Sequence, residues 1–198
     1  MQKAQYSSSA PKTTVSDDAV GVPQNKWFVA IVNHNNEHNA ASRLKSLGYD
    51  VYVASQVQLR QRANGRKVKV DRLVIPSKVF IHCTEQQRRQ IVTLPYVNRF
   101  MTNIAGTAAP GMHKPLVVIP PYQMNILQFM LGHAENPVSL VSLPYKKGEA
   151  IRVVRGSLAG LTGEIFTNPE GSEILTVSLD ALGYATVKIE ATDVERLN

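Results

Sequence analysis

The sequence predicts an α+β protein in two parts: a mixed α/β sandwich, followed by a small all-β barrel. Three observations predict this fold. Residues 27–32 form a continuous apolar, β-rich run, which is typical of a strand buried on both faces. Residues 37–47 and 121–131 repeat apolar side chains at helical spacing, whereas residues 175–189 alternate apolar and polar side chains as strands do.

The first part reads as strand, loop, helix and strand, in that order. Ala40, Leu44 and Leu47 recur at helical spacing, and Gly48 stands where a helix C-cap is expected. A second strand is predicted over residues 49–54. Further on, Thr84 is a predicted N-cap for a short helix that runs through Val92.

A basic hairpin is predicted between these elements, over residues 56–72. The Asn64-Gly65 pair has strand-forming residues on either side, which is a strong hairpin signal. Its flanks are polar, so we expect the hairpin to project from the body. After it come strands at residues 73–76 and 79–83, interrupted by a proline, and then a strand at residues 97–101.

The remaining boundaries follow from composition. Residues 1–25 are predicted to be a disordered leader, 26–131 the first domain, 132–144 a linker with two prolines, and 145–198 the barrel domain. About five short strands in so few residues favour a closed barrel, because an open sheet of that size leaves its edges unprotected.

Charge divides the chain in the same way. Residues 1–144 hold 16 Lys/Arg and 7 Asp/Glu, a net charge of +9, whereas residues 145–198 hold 6 and 8, a net charge of −2. A basic first part suggests proximity to a polyphosphate, although many soluble proteins are modestly basic. The single cysteine, Cys83, excludes an internal disulfide. With no secretory signal and no long apolar run, we expect a cytoplasmic monomer that does not bind a membrane.

Two patches resemble known families. Residues 147–165 resemble a KOW motif, in which a strand leads through a glycine-bearing turn to a second strand; the turn glycines are Gly156, Gly160 and Gly163. We expect them to provide left-handed or close-approach conformations. Residues 26–29, 72–79 and 94–100 resemble the amino-terminal domain of the NusG family, and the domain order matches. The resemblance covers residues 26–198 and implies a NusG-type domain followed by an SH3-like KOW barrel.

The resemblance implies a transcription elongation or antitermination factor that binds the clamp of the largest RNA polymerase subunit. Pro76-Ser77-Lys78 departs from the Pro-Gly-Tyr-like turn usual in NusG, which suggests a specialised paralogue similar to polysaccharide-operon antiterminators. The polymerase-binding residues implied by position are Phe28, Val74, Ile75, Pro76 and Lys78. The alternative is that the apolar members are ordinary core residues.

Upstream or non-template DNA is the second expected partner. Lys/Arg contacts to phosphate provide non-specific affinity, and the predicted DNA-binding residues are His34, Arg43, Arg60, Arg62, Arg66, Lys67, Lys69 and Arg72. A solvated charged hairpin is the alternative. The resemblance further implies that the barrel recruits ribosomal protein S10 or Rho, with candidate contacts around Leu158, Leu161, Phe166 and Tyr184.

Catalysis and metal binding are not expected, so no cofactor is predicted. His34 and His38 lack a third ligand, and the G-x-S-x-G match at residues 156–160 lies in a predicted barrel loop. Two rival functions remain. A KOW-type RNA-binding or ribosome-associated protein predicts a basic barrel, and an enzyme with an appended barrel predicts convergent titratable groups in the first domain.

Overall fold

The computed structural model describes residues 24–103, 114–141, 148–167, 170–179 and 182–197. The helices are α1 (Glu37–Ser46), α2 (Glu85–Ile91) and α3 (Pro121–His133). The strands up to α3 are β1 (Lys26–Ile31), β2 (Asp50–Tyr52), β3 (Ser55–Gln61), β4 (Lys67–Leu73), β5 (Lys78–Cys83), β6 (Arg99–Phe100) and β7 (Val118–Ile119). The predicted leader lies outside the described residues except for its last two positions, 24 and 25.

Strand β1 lies inside an antiparallel sheet of order β2-β5-β1-β6, with β7 also paired to β1. Its side chains alternate between two cores, because successive residues of a strand point to opposite faces. Val29 packs with the buried face of α3, whereas Phe28 and Ala30 pack with α1 and Ile91 of α2. Helices therefore cover both faces of this sheet, and the run at residues 27–32 is apolar because both faces are buried.

Helix ends agree with the local sequence signals. The Thr84 hydroxyl accepts a hydrogen bond from Gln87 N, and the Gln87 side chain accepts one from Thr84 N, which completes a capping box at the start of α2. Gly48 has φ of +84° directly after α1, a left-handed conformation that favours glycine. Pro121 occupies the first turn of α3, where a missing N–H costs nothing.

The predicted strand at residues 73–76 is replaced by a turn. Strand β4 ends at Leu73, Val74 N donates to Ala54 O beside the root of β3, and residues 76–77 then form the turn. Strand β5 begins only at Lys78. The strand predicted at residues 97–101 is likewise shorter, because only Arg99–Phe100 pairs with β1.

The C-terminal part is all β, as expected. Its strands are β8 (Ser139–Val141), β9 (Glu149–Val153), β10 (Thr162–Thr167), β11 (Glu173–Ser178), β12 (Tyr184–Ile189) and β13 (Val194–Arg196), with a 3-10 helix at Ala191–Asp193. They form an antiparallel sheet of order β13-β9-β10-β11-β12-β8 around a core that includes Ile151, Leu175 and Val187. This all-β part confirms the small C-terminal β domain that the sequence predicted, and β13 and β8 are the two end strands of the hydrogen-bonded ladder among the described residues.

The segment expected as a linker, residues 132–144, is partly built into both halves. Helix α3 extends to His133, and β8 pairs with β12 as the last strand of the second sheet. Residues 142–147, which include the end of that segment and the expected start of the barrel domain, lie outside the described residues. The described residues of this segment that follow α3, residues 134–141, are therefore packed against the rest of the protein rather than forming a flexible linker.

A buried glutamine holds this segment. Gln56, at the root of β3, is 4% exposed, and its Nε2 donates to Ala134 O (2.9 Å) and Asn136 O (3.1 Å). Its Oε1 accepts from Val138 N at 3.0 Å. We call these contacts the Gln56 clamp. Asn136 Nδ2 in turn donates to Lys188 O of β12 at 3.0 Å, so hydrogen bonds run from the hairpin root to the second sheet.

We expect Gln56→Ala to release this segment, since backbone groups that the amide now satisfies lose their partners. The expected loss of stability is about 1.5 kcal/mol. Hydrogen exchange of the Val138 amide is the direct measurement, and its protection should fall sharply. Gln58→Ala is the matched control, because the Gln58 side chain donates only to Gln56 Oε1 in this cluster. Equal protection of Val138 in both variants contradicts the assignment.

Candidate binding surfaces

The five residues predicted to contact polymerase do not form one exposed patch. Phe28 is 2% exposed and packs edge-on to Phe100, and Ile75 is 1% exposed within the core on the α3 side. Both are core residues in this conformation, as the alternative reading of the sequence allowed. Val74 and Lys78 are half-buried, and Pro76 is exposed. The accessible candidates are therefore Val74, Pro76 and Lys78, which lie in one turn, residues 74–78; we call it the docking turn because it contains these predicted contacts.

The docking turn is held in an unusual backbone conformation. Ser77 has φ of +60°, the left-handed region that favours glycine, and it stands where the resemblance described above leads one to expect a glycine. Its N–H donates to Glu37 Oε1 at 2.6 Å, and its carbonyl accepts from Val32 N at 3.0 Å. Two long-range hydrogen bonds thus fix a conformation that a serine rarely adopts.

Glu37 is the buried partner that sequence reasoning missed. It lies in the first turn of α1, where a carboxylate interacts favourably with the helix dipole, and it is 1% exposed. Burial raises the pKa of this carboxyl, but the backbone N–H groups of Ser77, Glu37 and Asn35, together with His34, lower the pKa below its ordinary value. The signal in the sequence was an acidic residue directly after a loop, which by itself suggested only a helix start.

The predicted basic hairpin is present as β3 and β4, which form a two-stranded sheet of their own. Arg62 N donates to Arg66 O, and Gly65 takes φ of +78° at the tip predicted from Asn64-Gly65. Its root is anchored by Gln56 and by His38 Nε2, which lies 3.4 Å from Asp71 Oδ2. The tip residues 61–67 are all exposed, so the hairpin presents its charges to solvent.

All the predicted DNA-binding residues are exposed, but they occupy two places. The hairpin carries Arg60, Arg62, Arg66, Lys67, Lys69 and Arg72. His34 and Arg43 belong instead to the loop before α1 and to α1 itself. The Arg43 guanidinium lies over the Tyr96 ring, 5.4 Å from its centroid, so one face of the guanidinium group already makes a cation–π contact.

The three turn glycines in the second sheet have two different roles. Gly156 and Gly160 have φ of +77° and +95°, which side chains tolerate poorly. Gly163 lies instead where a Cβ atom would stand 2.6 Å from Thr176 O on the neighbouring strand. The barrel surface expected around Leu158 and Leu161 needs correction, because these side chains are 6% and 8% exposed and belong to the core, whereas Phe166 and Tyr184 are half-buried.

The match to known families is decided by the first half of the chain. A family model described as "Transcription termination factor nusG" matches residues 25–128, more than half of the protein, and spans the first sheet, the hairpin and the docking turn. The chain belongs to the NusG family of transcription factors. A NusG-family relative, the "Transcription termination/antitermination protein NusG" of Thermus thermophilus, is 26% identical over 144 residues, which cover 69% of this chain and 77% of the relative.

Solved structures of NusG and Spt5 proteins align with most of the chain at low identity and with TM-scores below 0.5. The structure described as "Domain interaction in Thermotoga maritima NusG" is 17% identical and covers 88% of this chain and 98% of its own, with a TM-score of 0.46. The structure described as "Crystal Structure of MjSpt4:Spt5 complex conformation A" is 13% identical, and the match covers 87% of this chain and 98% of the matched chain, with a TM-score of 0.26. Family membership rests on the sequence match. No helix within the described ranges is long and apolar enough to cross a membrane.

Proposed function

We propose that this NusG-family protein binds the clamp of RNA polymerase through its docking turn and suppresses pausing or termination, while its hairpin contacts upstream or non-template DNA. The observation that carries the proposal is that the family match covers the whole sheet from which both the turn and the hairpin arise. The chemistry is binding rather than catalysis. A factor that prefers the closed clamp shifts the population of polymerase away from the paused state.

The docking turn supports the polymerase half of this proposal. Pro76 is exposed beside half-buried Val74 and Lys78, so a small apolar surface has a cationic rim, as protein contacts commonly do. Glu37 and Val32 hold the turn in one conformation through Ser77, which lowers the entropy cost of ordering it on binding. The polymerase contact need only be of moderate affinity, because DNA contacts add to it through effective concentration.

Polymerase binding is tested with Pro76→Ala combined with Lys78→Glu. We expect about a tenfold loss of affinity, which corresponds to about 1.4 kcal/mol, because the variant removes an apolar contact and reverses a rim charge. Pull-down of polymerase after nuclease treatment is the measurement. Lys188→Glu, an equal charge reversal at an exposed position of β12, is the control and should bind normally.

Two outcomes count against the proposed function. A wild-type protein that captures no polymerase but retains ribosomes is instead a KOW-type RNA-binding or ribosome-associated protein. Equal losses in both variants mean that the docking turn is not the contact. The net charge of −2 over residues 145–198 opposes the ribosome alternative, because an RNA-binding barrel should be basic.

The barrel is proposed to recruit a second protein, ribosomal protein S10 or Rho, as its acidic balance disfavours nucleic acid. The turn at residues 76–78 supports a specialised paralogue that serves particular operons. Comparing transcriptomes with and without the protein tests this point. Changed transcription of one or a few operons indicates a specialist, whereas a genome-wide change indicates a general factor.

A further inference from the structure

The hairpin separates its arginines from its lysines. In the ladder Gln56 is opposite Arg72, and Arg60 is opposite Val68. Arg62 N donates to Arg66 O, which continues the same register to the tip. Residues directly opposite share a face, and alternate residues of each strand share it too. One face therefore carries every arginine of the hairpin; we call it the arginine face, made of Arg60, Arg62, Arg66 and Arg72.

The opposite face has another composition. Leu59 is opposite Lys69, Gln61 is opposite Lys67, and Val57 is opposite Asp71. This lysine face thus contains both lysines and the one carboxylate of residues 55–73. Leu59 and Val57 are 69% and 62% exposed on it. Asp71 partly offsets the charge of this face, and a carboxylate is what the arginine face lacks.

The arginine face has uncompensated charge. Within the described residues, none of its four guanidinium groups forms an ion pair with a carboxylate. Its other members are Gln56, Gln58, Val68 and Val70, none of which is acidic. Guanidinium groups hydrogen-bond phosphate oxygens in a bidentate geometry that an ammonium group cannot match. Because no carboxylate of the described chain pairs with these guanidinium groups, they are available to bind the phosphates of a nucleic acid.

The dimensions fit a duplex. From Arg66 to Arg72 the strand advances about 20 Å at about 3.3 Å per residue. A duplex presents about one phosphate charge per 1.7 Å of its axis, and its major groove admits a two-stranded ribbon. Residues 55–73 contain no aromatic side chain, so the hairpin lacks the stacking platform on which single-strand binders depend.

We infer that the arginine face is the surface that contacts the phosphate backbone of a duplex nucleic acid, and that the lysine face does not contact it. This inference rests on the proposed function, which places nucleic acid at the hairpin, and it adds which side binds and which form of nucleic acid is bound. The sequence alone predicted that all six basic residues of the hairpin contact DNA. The distinguishing signal was parity: the arginines have even numbers and the lysines have odd numbers.

The test compares two variants with equal charge loss at nearly equal height on the hairpin, Arg60→Gln with Arg66→Gln and Lys67→Gln with Lys69→Gln. Binding of the full chain to a labelled 30-base-pair DNA is measured between about 50 and 200 mM salt. The arginine variant should lose about tenfold in affinity at 100 mM salt. Its salt slope should decrease by about 2, since each phosphate contact contributes about 0.9. The lysine variant should lose less than about threefold and keep its slope.

Further measurements distinguish which form of nucleic acid provides the phosphate groups. Duplex RNA and single-stranded DNA are measured beside duplex DNA, and tighter binding to the single strand overturns the inference. Arg60→Lys with Arg66→Lys keeps the charge but not the bidentate geometry, so we expect intermediate affinity; wild-type affinity overturns the role of the guanidinium groups. Equal losses in the arginine and lysine variants overturn the assignment to one face.

Polymerase capture by the same variants keeps this inference distinguishable from the proposed function. The arginine variant should still capture polymerase from nuclease-treated extract, since its replaced residues lie outside the docking turn. If capture persists but duplex binding is absent even in the wild type, the inference fails and the polymerase contact stands. If capture is lost in the wild type, the proposed function fails whatever the DNA result.

Discussion

Gly163→Ala should unfold the C-terminal sheet while leaving the first sheet folded. An added Cβ stands 2.6 Å from Thr176 O and 2.9 Å from Leu175 Cδ1, and the carbonyl belongs to the backbone of β11 in the interior of the sheet. Relief requires β10 and β11 to separate, which breaks the pairing of Glu164 with Thr176. Overpacking against fixed backbone costs about 3 kcal/mol, a large share of the stability of a small sheet.

The two halves can be followed separately. Trp27 is the only tryptophan and lies in β1, so its fluorescence reports on the first sheet. Hydrogen exchange of the Leu175 and Val187 amides reports on the second. We expect early loss of amide protection in the second sheet and little change in the unfolding transition that Trp27 reports.

Gly132→Ala is the control for the loss of a glycine. Gly132 lies in α3, an added Cβ meets no atom within 4 Å, and its backbone is helical. This change should be neutral or stabilise the protein by up to about 1 kcal/mol, because alanine is the better helix former. If Gly163→Ala is tolerated as well as Gly132→Ala, the close approach of β10 to β11 is not a constraint on the fold.

Glu37→Ala should give the second largest loss of stability, about 2 to 3 kcal/mol at pH 7. The half-buried Ser77 N–H then loses its acceptor, and that acceptor is a charged carboxylate whose own side chain is buried. Ser77 is also free to leave its left-handed conformation, so the docking turn should loosen. Urea unfolding of the two proteins measures the stability loss directly.

The contribution of Glu37 should depend on pH in a defined direction. Its pKa in the folded protein is lowered from the ordinary value of 4.5, so the unfolded chain binds the proton more tightly. The stabilisation is therefore complete above the unfolded pKa and is lost as pH falls through the folded pKa. Wild type and Glu37→Ala should converge in stability as the solution is acidified.

Glu37→Gln separates the charge from the hydrogen bond. The amide oxygen still accepts from Ser77 N but carries no charge, so we expect this variant to be less stable than wild type at pH 7. Because the amide does not titrate, the variant should not show the loss of stability on acidification that Glu37 contributes in the wild type. If the free energies of unfolding of the wild type and of Glu37→Ala change in parallel between pH 7 and pH 3, the carboxylate does not hold the turn.

Local signals in the sequence predicted the local structure well. The apolar run of β1, the cap at Thr84 and the turn at Asn64-Gly65 each depend on residues a few positions apart, and the structure has all three. The burial of Phe28 and Ile75 was harder to predict. An apolar residue on a strand, like Phe28, or in a turn, like Ile75, is equally suited to a core and to a docking patch, and only the packing of other elements around it distinguishes the two.

Partners distant in the sequence explain the remaining failures. Glu37 meets Ser77 across 40 positions, and Gln56 meets Val138 across 82. Neither pair has a periodicity or a motif, because the contacts are set by how the sheet is folded rather than by the chain near each residue. The pairing of β8 with β12 was missed for the same reason, since a proline-containing segment reads locally as a linker.

The incorporation of β8 into the second sheet affects how that sheet behaves when cut out of the chain. A fragment beginning at residue 145, the boundary that composition suggests, lacks the strand that pairs with residues 184–186. The N–H and C=O groups on that side of β12 are then free to pair with another molecule, which is the usual route to edge-to-edge aggregation. A fragment that begins before Ser139 brings its own edge strand and should remain dispersed.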